Sequence, residues 1–141
     1  MSSPDPAAEG RRRADEYLTL LGSDDAAATA LLAGLADVRE LVFLGAGLTA
    51  IARAEARFLP PAQRAQANTR QVRLGTVRDA TRGNPEGLRT WLRQAGEEIA
   101  LIRSQRALAD RVHAADQERT ATRVAAEASG TAAASSAATT T

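Results

Sequence analysis

The sequence predicts an all-α fold: a three- to four-helix bundle with a long C-terminal helix, flanked by disordered N- and C-terminal tails. Three observations carry that expectation. Apolar residues recur at intervals of three and four along most of the chain, the spacing that lines one face of a helix. Pro60, Pro61 and Pro85 fall between the periodic stretches and not inside them, where proline would remove a backbone donor and break the turn. Asn84-Pro85-Glu86 is a strong helix start, and no proline follows it.

Residues 1 to 10 are polar and proline-bearing and read as a flexible lead to a helical domain over 11–128. The first helix is expected at about 12–21, with Tyr17, Leu18, Leu20 and Leu21 on its apolar side and Gly22 ending it. Ser23 or Asp24 then caps a second helix over 24–59, where Asp24 and Asp25 favour the positive end. Its stripe is Leu31, Leu35, Val38, Leu41, Leu44, Leu48, Ile51, Ala54 and Phe58, and Pro60-Pro61 stops it.

The third helix, 61–82, opens with Pro61 at a favoured first position and carries a weaker face of Ala65, Thr69, Val72, Thr76 and Ala80. Within it, Gln71 to Val77 also reads as a short strand, because Val72 and Leu74 alternate with arginine and Gly75 weakens a helix. The fourth helix, 85–127, places Leu88, Leu92, Ala95, Ile99 and Ile102 on one face, with Trp91 and Leu101 widening it and Leu108 and Val112 continuing it less regularly. Its polar face pairs Glu86 with Arg89, Arg93 with Glu97, Arg106 with Asp110 and Asp116 with Arg119 at contact spacing.

A helix over 85–127 is about 65 Å long at 1.5 Å per residue, against a radius of gyration of about 14 Å for a compact domain of this size. After Val112 the only large aliphatic is Val124, so the last third must project, pack on another subunit or fray. Residues 129–141 hold only Gly, Ser, Thr and Ala and read as a disordered tail. The second and fourth helices are expected to pack antiparallel as the main core.

With 141 residues the chain suits one domain with a modest core. All 18 basic residues are arginine, and the absence of cysteine excludes disulfides, thiolate metal sites and a cysteine nucleophile. Asp37, Arg39 and Glu40 interrupt the best apolar run, so no membrane span is expected. Nor do Arg11-Arg12-Arg13, leading into Asp15 and Glu16, form a secretion signal; the expected location is the cytoplasm or a particle assembled there.

Charge is unevenly distributed. Ala14 to Ala56 holds seven acidic residues against two arginines, whereas Arg57 to Arg93 holds eight arginines against Asp79 and Glu86. Arg64, Arg70, Arg73, Arg78, Arg82, Arg89 and Arg93 are therefore the candidate contact residues, for a polyanion or for another subunit.

Leu41-Val42-Phe43-Leu44-Gly45-Ala46-Gly47-Leu48-Thr49-Ala50 resembles the strand, glycine turn and helix start of a dinucleotide-binding fingerprint, in which glycines let the backbone reach a pyrophosphate. The acidic residue due some twenty positions on is missing, and the helical stripe passes through the glycines unbroken. Close packing of helices is the competing reading. His113 is the single histidine, Glu97 and Glu98 diverge around a helix, and no serine sits in a nucleophile elbow. The sequence thus points to no enzyme, no metal and no cofactor. Its leading expectation is a structural or assembly protein working through helix-mediated self-association or contact with other protein subunits, for instance as a virion component. The alternatives are a small nucleic-acid-binding accessory protein using residues 57–93, and a nucleotide enzyme.

Overall fold

The structure, a computed structural model, describes the backbone of residues 5–139 and the side chains of residues 5–130. Among the described residues there are five helices and no strand: α1 (Pro6–Ser23), α2 (Asp25–Gly34), α3 (Val38–Ala56), α4 (Pro61–Ala80) and α5 (Pro85–Thr139). The chain divides into two compact units, Met1–Arg106 and Ala107–Thr141. None of the described helices is long and apolar enough to cross a membrane.

Each helix starts where a side chain or a proline satisfies or removes a free amide. Asp5 accepts from the Ala7 amide at 3.2 Å, and Pro6 takes the first helical position. The expected lead over 1–10 is corrected from Pro6 onward, because Asp5-Pro6 is itself a capping signal; its first four residues lie outside the described residues. Asp24 caps α2 through the Ala27 amide at 3.1 Å, and Asp37 caps α3 through the Arg39 amide at 2.9 Å.

The single helix expected over 24–59 is therefore two helices, broken at residues 35–37. Gly34 weakens the end of α2 and Asp37 offers a new start, so the backbone gains a cap for the bonds it loses. Arg89 of α5 meets the exposed α2 terminus, donating to the carbonyls of Leu32 and Leu35 at 3.1 Å each. α3 ends at Ala56, ahead of Pro60-Pro61, so Phe58 leaves the predicted core stripe and is exposed, with the Arg106 guanidinium 4.2 Å from its ring centre. Arg106 makes this contact where a pair with Asp110 was expected.

The alternative strand over 71–77 is absent: α4 is helical throughout. Asn84 starts α5, accepting from the Glu86 amide at 3.1 Å, and Gly83 turns the chain at φ +83°, a conformation that favours glycine. The helix is traced through Thr139, past the boundary expected near 127 and into the segment expected as a tail from 129. Alanine dominates this stretch and no proline interrupts it, both favourable to helix. Thr140 and Thr141 lie outside the described residues.

In the first unit, Tyr17, Leu41, Leu44, Leu48, Leu88, Leu92, Ile99 and Ile102 form the fully buried centre. The α5 residues 85–102 supply the strip that the other helices share. Arg70 and Glu98, Arg78 and Trp91, and Thr81 and Gly87 face each other, so α4 runs antiparallel to α5. Gly45 faces Trp91 and Leu92 while Glu55 pairs with Arg103, so α3 runs parallel to α5. The expected antiparallel pairing of the second and fourth helices is thus corrected for α3. Two tight reversals, at Pro60 and at Gly83, return the chain to its first direction.

Two glycines explain how α1 and α3 approach. A Cβ at Gly10 would lie 2.7 Å from the Phe43 carbonyl carbon, and one at Gly47 would lie 2.9 Å from the Gly10 carbonyl oxygen. Backbone meets backbone there, which no larger residue permits.

Candidate functional site

The ten-residue resemblance to a dinucleotide fingerprint falls wholly inside α3. Leu41–Leu44 is helix where a strand is required, and a Cβ at Gly45 would run into the Trp91 ring. Gly45 and Gly47 are buried helix contacts and present no turn to a pyrophosphate.

Five of the seven candidate arginines have ion-pair partners among the described residues. Arg70 donates from Nε to both oxygens of Glu98, at 2.7 and 2.8 Å, and ties α4 to α5 across an 8% exposed carboxylate. Arg89 is spent on the α2 terminus and on Glu86. Arg93 bonds Asp25 at 2.6 Å and reaches Thr29 and Glu97; the Asp25 hydrogen bond, then its charge, raise the Arg93 pKa. Arg78 and Arg82 share Asp79, both at 3.2 Å. Only Arg64 and Arg73 of the seven have no acidic, hydrogen-bonding or ring partner among the described residues, and both are exposed.

Among the described residues one ion pair joins the acidic and basic stretches within the first unit, Arg93–Asp25, and Arg103, beyond the basic stretch, pairs with Glu55. In the second unit, residues 110 to 130 are all exposed, Leu108 and Val112 are about half exposed at 53% and 52%, and Val124 is at 56%. Arg119 pairs with Asp116 one turn earlier.

The first unit also holds a groove of about 320 Å³ between α3 and α4, floored by Trp91 and Ala95 of α5. Small residues leave it open: Ala52 and Ala56 on the α3 wall and Gly75 on the α4 wall. A Cβ at Gly75 would meet nothing closer than Arg78 Nη2 at 3.9 Å. Arg53 and Arg78 stand on its sides; Arg53 has no partner among the described residues, and the Arg78 guanidinium lies 6.0 Å from the Trp91 ring centre. Gln71 lines the same groove with its Nε2 buried and unpaired. The sequence reading missed this place. Gly75 registers there only as a weak helix residue, and the facing alanines lie on other segments, so no local motif announces the gap.

Among the described residues no three histidine, cysteine or acidic side chains gather to hold a metal ion. No protein-family model, curated protein or solved structure matches the chain.

Proposed function

We propose that this protein is a non-enzymatic structural or assembly subunit that associates with copies of itself through α5. The observation that carries the reading is the uncovered helix over residues 110–130, exposed at every position and headed by the exposed aliphatics Leu108 and Val112. A helix that buries none of its side chains gains little from packing, which supplies most helical stability in proteins.

The sequence of this stretch supports a parallel two-stranded seam. Leu108, Val112, Ala115, Arg119, Thr122 and Ala126 follow at alternating spacings of four and three, the register of coiled-coil core positions. In that register Arg111 of one helix flanks Asp116 of the other, and Glu118 flanks Arg123, so both flanking pairs are of opposite charge. Arg119 occupies a core position and weakens the seam. A particle built from many copies, such as a phage capsid or tail, is one setting for such a subunit, located in the cytoplasm or within the particle.

Molar mass by light scattering after size exclusion tests the reading. The expected result is a dimer or larger oligomer that Leu108→Glu with Val112→Glu reduces to monomer, while Arg119→Leu tightens association at least tenfold. A monomer at every concentration, unchanged by Arg119→Leu, overturns it. The nucleic-acid reading is weaker, since five of its seven arginines already have partners; a DNA or RNA shift at low salt, lost in Arg64→Ala with Arg73→Ala, would restore it.

A further inference from the structure

We propose that the groove between α3 and α4 binds an amphipathic carboxylate, with an aromatic or aliphatic body on Trp91 and its charge against Arg53 and Arg78. Three independent observations converge there. The volume, about 320 Å³, lies at the lower end of the range of small-molecule sites, and the floor is apolar, with Leu48, Ala52, Trp91 and Ala95 contributing. Arg53 carries a charge that no acid in the described structure neutralises, whereas most arginines of the first unit are paired. Arg78 sets a second guanidinium on the groove, 6.0 Å from the Trp91 ring centre, so charge and ring stand side by side.

Chemistry narrows the ligand further. A guanidinium beside an apolar wall favours carboxylate through charge-assisted hydrogen bonds, and an indole face favours a flat or extended hydrocarbon. Arg78 bonds Asp79 through Nε at 3.2 Å, which holds the side chain in place near the Trp91 ring. The opening at Gly75 is needed for entry, because any larger residue there occupies the space beside Arg78.

Trp91 is the single tryptophan, so its fluorescence reports the floor of the groove directly. The probe is 2-naphthoate, titrated into the full chain by Trp91 quenching and by calorimetry, with neutral 2-naphthamide as the control. The expected result is saturable binding of the acid with a dissociation constant of about 10–100 μM, at least tenfold tighter than the amide. Gly75→Leu, which improves helix propensity while filling the groove, should abolish binding of both probes and leave the circular dichroism spectrum unchanged. Arg53→Gln should weaken the acid about tenfold and leave the amide unchanged. The proposal is overturned by no saturable binding up to about 1 mM, by undiminished binding in Gly75→Leu, or by equal affinity for acid and amide. None of these outcomes depends on the oligomeric state.

Discussion

Tyr17 has a fully buried ring, and its hydroxyl makes no hydrogen bond. Burial raises its pKa above the ordinary 10.0, with Arg93 pulling more weakly the other way. Below pH about 10 the phenol is protonated in both folded and unfolded chains, and the linkage term is silent. As pH rises further the unfolded chain ionises first, so stability falls with pH through the raised folded value. Tyr17→Phe removes both the orphan hydroxyl and this slope. It should raise stability by about 1 kcal/mol at neutral pH and flatten the decline above pH 10, as read from urea melts between pH 8 and 11. Glu98 is the opposite case, a buried carboxylate gripped through both oxygens. Glu98→Gln should cost about 2 kcal/mol, less than for a fully buried pair because Arg70 keeps part of its surface in water. Glu98→Leu combined with Arg70→Met should recover much of the loss in the same urea melts. Of the four expected helix pairs of arginine and acid, three form, while Arg106 turns to Phe58 and not to Asp110. The three were legible in sequence because they are local. The Arg70–Glu98 and Arg93–Asp25 pairs were not, since they join residues 28 and 68 positions apart.

At the scale of the element, glycine inside a helix has opposite meanings at different places. Gly47 lets α3 approach α1 to backbone contact, so Gly47→Ala should destabilise by about 1–3 kcal/mol although alanine is the better helix former. Gly75 faces open groove, so Gly75→Ala should stabilise by up to about 1 kcal/mol. Thermal melts of the two variants should therefore shift in opposite directions. The existence of the helices, and the buried stripe Leu88, Leu92, Ala95, Ile99 and Ile102, followed from periodicity alone. The division at residues 35–37 did not, because apolar spacing continues across it while the backbone does not. Asp37 three residues after Gly34 was the available signal, and it competes poorly with an unbroken stripe.

On the scale of the whole molecule, α4 explains why an arginine-rich segment was so visible. Its only fully buried residue is Ala67, most of its arginines lie at the surface, and it is attached through Leu74, Val77 and the Arg70–Glu98 pair. Gly75 on α4, facing Ala52 and Ala56 of α3, leaves the groove between them unfilled. The charge-divided sequence is in small part an internal arrangement: Asp25 of α2 meets Arg93 of α5 and Glu55 of α3 meets Arg103 of α5. Helix direction was in principle legible too, since two short reversals force the first and third of three consecutive helices to run alike. What no sequence pattern carried was the space between helices, which depends on which small residues happen to face one another.

The two hydrogen bonds from Arg89 to the end of α2 bear on the order in which the chain assembles. α2 has only ten residues, below the length at which an isolated helix persists in water, and its last carbonyls are met by a side chain more than fifty positions later. Its amides should then exchange with deuterium only when the α5 contact opens as well, so α2 and the first turns of α5 should share one opening free energy. Arg89→Met should uncouple them, with α2 amides exchanging at least tenfold faster while those at Leu92 and Ile99 keep their protection. Synthesis from the N-terminus would then present α2 long before its anchor, leaving it to form last although it is made early.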